Sequence, residues 1–189
     1  MKAETVKGKK KITAKDIALI GMMIAVIEVC KFALANVPNV ELTTFWIIMF
    51  TLYFGKRIFY VIPAFVLFEG VVYGFQMWWI MYLYAWPLLA VMALMMRKKN
   101  TYFGCVLLSC IFGLLFGLLC SIPYIFTGAF EGGLVNGFRV AFTWWIAGIP
   151  FDLVHGIGNL VIMLVLYYPI NKAMRLAFPA LDTLDTHSI

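Results

Sequence analysis

The sequence predicts an all-α membrane protein: a compact bundle of six transmembrane helices with both termini cytoplasmic. Three observations carry this. Of 189 residues, 64% are hydrophobic and 13% charged, against roughly 45–50% and about 25% in a soluble domain. The apolar residues fall into long runs separated by short breaks, as a bilayer-crossing chain requires. The basic residues gather in alternate breaks. No alternation of period two points to a barrel, so the runs are read as helices, which satisfy their own backbone in lipid. No internal repeat is visible.

In chain order, the spans fall at 16–36, 42–55, 57–75, 78–96, 101–123 and 149–171, each weighed against the roughly 20 residues a span needs. Residues 1–15 form a Lys-rich cytoplasmic N-terminus, 16–171 the transmembrane domain and 172–189 a cytoplasmic tail. Ala33-Leu34-Ala35 resembles a signal-peptidase site. However, Glu28 and Lys31 interrupt the preceding run and more membrane follows, so the first span is read as uncleaved. The second span is short, either tilted or partly enclosed by the bundle. Residues 124–148 exceed an ordinary turn. They hold Gly128, Gly132, Gly133 and Gly137, then the aromatic-rich stretch 138–145. This reads as a glycine-rich lid over a cavity mouth, followed by an interfacial helix.

Charge sets the orientation. Lys2, Lys7, Lys9, Lys10, Lys11 and Lys15 precede the first span. Lys56 and Arg57 follow the second, Arg97, Lys98 and Lys99 the fourth, and Lys172 and Arg175 the sixth. That places 13 of the 15 basic residues on one side, which the positive-inside rule makes cytoplasmic. The net charge of +6 is explained this way without nucleic acid. The four cysteines (Cys30, Cys105, Cys110, Cys120) lie in apolar segments without a CxxC spacing, so neither zinc nor a disulfide framework is indicated.

Polar groups converge on the outer half. Pro150 suits the first turn of a helix, and Asp152, His155 and Asn159 then share one helical face. Such residues are costly in lipid and point inward or into a wet cavity. They are read as interhelical hydrogen bonds, as ligand contacts or as a proton site. Glu28 and Lys31, three apart, are read as neutralising each other. Glu69 has no local partner; it meets Lys31 or Arg139 across the bundle, or stays protonated. Trp78, Tyr82 and Trp86 repeat every four residues, a ring-stacking wall as well as an interfacial belt. Asn36, Asn39, Glu41, Arg139 and Trp145 complete the outer set of candidate ligand contacts. No catalytic residue, cofactor or metal site is assigned: His187 is the only other histidine, and no HExxH or nucleotide-binding loop occurs. In the first span, Ala14/Ala18 and Gly21/Ala25 are small residues four apart, a spacing that lets another helix approach closely.

Four stretches together resemble the substrate-binding S component of an energy-coupling factor transporter. They are Ile17-Ala-Leu-Ile-Gly21-Met-Met-Ile-Ala25, Val37-Pro-Asn-Val-Glu41-Leu, Tyr82-Leu-Tyr-Ala-Trp86 and Ala147-Gly-Ile-Pro-Phe-Asp152-Leu-Val-His155-Gly-Ile-Gly-Asn159. The resemblance covers about 10–175, and the last stretch is its most telling part. It implies a multi-pass protein of the cell membrane that binds a vitamin from outside. It also implies docking on a transmembrane coupling subunit and two ATPase subunits, with no enzymatic activity of its own. The small residues of the first span, at Ala14/Ala18 or Gly21/Ala25, would face the coupling subunit. The positions matching the family's binding site are 36–41, 76–82 and 131–159. Family members take different vitamins. The aromatic wall favours a ring-bearing substrate, with a slight preference for a large one such as cobalamin or a flavin. The alternative is a self-sufficient proton-coupled transporter using Glu69, Asp152 and His155.

Overall fold

The computed structural model describes residues 13–99 and 101–179, so Lys2, Lys7, Lys9, Lys10, Lys11 and His187 lie outside the described residues. The described chain is helical, without strands. The helix α1 spans Ala14–Ala33, α2 Thr43–Phe54, α3 Ile58–Tyr73, α4 Met77–Met96, α5 Tyr102–Leu114 and α6 Phe116–Ala177. Among the described residues, three helical stretches are long and apolar enough to cross a membrane: Thr43–Tyr73, Met77–Met96 and Tyr102–Ala177.

Helix α1 begins with a capping box. Asp16 N–H donates to the Thr13 hydroxyl, while the Asp16 carboxylate accepts from Thr13 N–H, which satisfies two otherwise orphaned donors. Asp16 also accepts from Arg57 at 3.0 Å, tying the start of α1 to the α2–α3 junction. Arg97, at the end of α4, donates to the Leu52 carbonyl at 2.8 Å. The Tyr53 hydroxyl donates to the Asn171 carbonyl at 3.0 Å. The basic positions 15, 56–57, 97–98 and 172 therefore gather at one end of the bundle.

The short second run is the centre of the fold. Ten of the twelve residues of α2 are buried. Its 12 residues rise only about 18 Å, well short of the roughly 30 Å hydrocarbon layer. The other helices pack around it through Met23, Ile27, Phe65, Trp86, Leu89, Phe112 and Met163.

The expected lid over 124–148 is not a loop. The chain stays helical there except at Gly132 and Gly133, where Gly133 has φ 79°, a turn that suits glycine. Helix α6 is thus two antiparallel arms, 116–131 and 134–177. The expected interfacial helix is the start of the second arm, and the span expected at 149–171 is its continuation. The cause is close packing. A Cβ at Gly137 would run into the Ile125 carbonyl, so the glycines let the arms touch. The Asn136 amide donates to the Gly128 carbonyl at 2.9 Å, and Tyr124 stacks on Trp144 at 4.8 Å.

Candidate functional site

Opposite the basic end, where α1 and α3 finish and α4 begins, lies a cavity of about 270 Å³. Its walls are Lys31, Ala35, Glu69, Tyr73, Trp78 and Tyr82. Glu69/Tyr73 on α3 and Trp78/Tyr82 on α4 are pairs four residues apart, so each of these helices presents one face to the cavity; Lys31 comes from the last turn of α1 and Ala35 from the turn beyond it.

Lys31 is the polar centre. Its ammonium pairs with Glu69 and sits 5.4 Å from the Phe65 ring, 5.9 Å from Tyr73 and 5.3 Å from Tyr82. Rings present a negative face to a cation, which favours such a position. The side chain of Lys31 is 21% exposed, whereas that of Glu69 is 2% exposed. Both line the cavity, and the lysine is the more exposed of the two. The pairing differs from the one expected within α1. Among the described residues, Lys31 pairs with Glu69 across the bundle and no ion pair joins it to Glu28. Among the described residues, Glu28 Oε1 and Glu69 Oε1 are buried with no donor. The three-residue spacing permits a Glu28–Lys31 pair, but α3 brings a buried carboxylate that needs the cation more.

The aromatic wall continues inward. Tyr82 stands 5.2 Å edge-on from Trp78 and 5.2 Å from Trp86. Trp78 and Tyr82 line the cavity. Trp86 is buried beneath them and packs on Phe112 and Phe116.

A second cluster lies where the α1–α2 loop meets α6. The Glu41 carboxylate accepts from Thr43 N–H at 2.8 Å, Thr44 N–H at 3.2 Å and the Thr44 hydroxyl at 2.8 Å. An anion belongs at this helix N-terminus. Glu41 also lies 3.2 Å from His155 Nε2. Burial pushes the Glu41 carboxyl up. The hydrogen bond and charge of His155, with the Thr43 and Thr44 donors, outweigh this and hold it at about 2. His155 stands edge-on to Phe116 at 5.0 Å.

The other residues of the final motif join helices. Asp152 accepts from Gly117 N–H at 2.8 Å, a donor freed where the chain breaks between α5 and α6. The Asn159 amide donates to the Ser109 carbonyl at 3.3 Å, and the Ser109 hydroxyl donates back to the Asn159 carbonyl at 3.4 Å. Asn36 and Asn39 are exposed in the loop, and Asn39 has φ 58°. Arg139 is exposed and Trp145 half-buried on the second arm of α6; neither lines the cavity. Of the expected contacts, then, the structure brings Trp78 and Tyr82 to one cavity and Glu41 within 3.2 Å of His155. Lys31, Ala35 and Tyr73 were not among the expected contacts. The four-residue spacings Lys31/Ala35 and Glu69/Tyr73 were the available signal.

The small residues of α1 form an open face. Ala14, Ala18, Gly21 and Ala25 are all exposed, and a Cβ at Gly21 would meet nothing within 4 Å. Among the described residues, no group of three or more His, Cys, Asp or Glu side chains is placed to hold a metal ion. No family model, curated protein or solved structure matches the chain.

Proposed function

We propose that this chain is the substrate-binding subunit of an energy-coupling factor type importer. It captures a vitamin-like molecule outside the cell and delivers it through a shared coupling and ATPase module. In this reading the chain crosses the membrane six times, through α1, α2, α3, α4, α5 with the first arm of α6, and the second arm. Both termini and the basic end face the cytoplasm. The observation that carries the reading is the cavity at the opposite end, aromatic-walled with one reachable ammonium. Small-molecule sites combine apolar walls with a few fixed polar groups in this way. The open small-residue face of α1 supports docking against the transmembrane coupling subunit. The proton-relay alternative draws less support. Asp152 bonds to Gly117 and His155 to Glu41, and neither is linked to Glu69 by a hydrogen bond among the described residues.

The test is uptake of radiolabelled vitamins by cells expressing this chain alone or together with a coupling subunit and two ATPases. The chain alone is expected to give no accumulation above background, and the full set to accumulate one vitamin. Accumulation by the chain alone that collapses when the proton gradient is removed would establish the alternative.

A further inference from the structure

The charged groups of the cavity wall balance. Lys31 and Glu69 are the charged residues that line it, and they pair with each other. Glu28 lies a turn earlier on α1 and does not line the cavity. A charged ligand would therefore find no free counter-charge in the wall, and burying an unpaired charge is costly. An uncharged ligand carries no such penalty.

The hydrogen bonds do not balance. Glu69 is buried and lines the cavity. One of its carboxylate oxygens accepts from Lys31, while the other, Oε1, has no donor among the described residues. A buried acceptor left unmet costs free energy, which a donor brought by a ligand would recover. Lys31 is in the complementary state. An ammonium has three donors, and Glu69 takes one of them. The pair can thus accept an N–H and donate to a neighbouring oxygen or ring nitrogen. Uncharged heterocycles carry such an edge, as the C=O and N–H of a cyclic amide or the ring nitrogen and amino group of an aminopyrimidine.

The rest of the wall sets shape. Tyr73, Trp78 and Tyr82 line the cavity beside the pair, and the Tyr73 and Tyr82 rings lie 5.9 and 5.3 Å from the Lys31 ammonium. A flat ring held at the pair by its edge is within reach of these aromatic faces. The cavity of about 270 Å³ lies at the lower edge of the roughly 300–1,000 Å³ of small-molecule pockets. That argues for a compact ring and against a corrinoid or flavin.

Resting on the substrate-binding reading above, we infer that the ligand is a compact, uncharged heterocycle with an N–H donor and an acceptor side by side on one edge. Glu69 Oε1 takes the N–H, and Lys31 donates to the acceptor. The pair stays intact on binding, and no bond or proton changes place.

The experiment is calorimetric titration of the purified full chain at neutral pH with matched pairs that keep or lose the N–H. The pairs are nicotinamide against N,N-dimethylnicotinamide, aminopyrimidine against dimethylaminopyrimidine, and thymine against its doubly N-methylated form. Nicotinate serves as the anion and the N-methylpyridinium form of nicotinamide as the cation, alongside riboflavin, cobalamin, biotin and pantothenate. At least one N–H compound is expected to bind about tenfold or more tighter than its methylated partner, and both ions to bind more weakly than nicotinamide. Glu69→Gln, whose amide oxygen can keep Lys31 and turn an NH₂ towards the ligand, is expected to abolish the preference for the N–H compound, in protein whose thermal melt shows that it is folded. If the variant does not fold, the wild-type pairs decide alone. Equal binding within every pair, tightest binding of an ion, or binding confined to riboflavin, cobalamin, biotin or pantothenate overturns this inference and leaves the binding-subunit reading intact. No binding of any compound to folded protein overturns both.

Discussion

Glu41 holds two elements at once, through the start of α2 and through His155 of α6. Because its carboxyl is held at about 2 rather than the ordinary 4.5, the linkage has a definite sign. The stabilisation is complete above about pH 4.5 and is lost as pH falls towards 2. His155→Ala is expected to cost about 1–3 kcal/mol at neutral pH, the order expected when a buried polar group loses its partner, and to flatten the acid limb of a thermal-melt series. An unchanged acid limb would mean that His155 does not hold Glu41. At this scale the sequence was partly legible. The faces of Trp78–Tyr82 and Asp152–His155–Asn159 follow from helical spacing alone. A Lys31–Glu69 pair across the bundle was one of the options the sequence left open for Glu69; the choice is made only once α3 has packed on α1.

Between α5 and the arms of α6, glycine acts through the absence of a side chain. The reading of 124–148 as a lid failed because glycine suits a turn and a tight helical contact equally well. Only Gly133, with φ 79°, serves the turn, whereas Gly137 lies against the Ile125 carbonyl. Gly137→Ala is therefore expected to cost about 1–3 kcal/mol through overpacking, read as a lower melting temperature. Gly21 offers the contrast. It is exposed with open space around it, so Gly21→Ala is expected to stabilise α1 by up to about 1 kcal/mol. Under the proposed function, Gly21→Phe is expected to leave ligand binding unchanged and to weaken co-purification with a coupling subunit. Equal co-purification of wild type and Gly21→Phe would remove this face from the docking surface.

Across the whole molecule, polarity is sorted by end. One end gathers Asp16, Arg57, Arg97 and Asn171. The other holds the Lys31–Glu69 pair and the Glu41–His155 pair. This sorting was legible as basic breaks and outer-half polar groups. The central role of α2 was legible only as an unexplained short run, since burial on all sides leaves no amphipathic pattern to read. The hairpin length was hidden for a related reason. The second arm, residues 134–177, is about 66 Å long at 1.5 Å per residue, and its glycines mask its continuity.

In the proposed reading, the cavity at one end holds a captured ligand and the open face of α1 meets a docking partner. The most direct test is a tryptophan fluorescence titration of the purified chain against a vitamin panel, repeated for Trp78→Phe and Lys31→Met. One vitamin is expected to shift the emission saturably at nanomolar to micromolar concentration. Trp78→Phe should lose most of the signal, and Lys31→Met should weaken the affinity about tenfold or more. No saturable response to any vitamin in folded wild-type protein, or a response that both substitutions leave untouched, would contradict a binding site at this cavity.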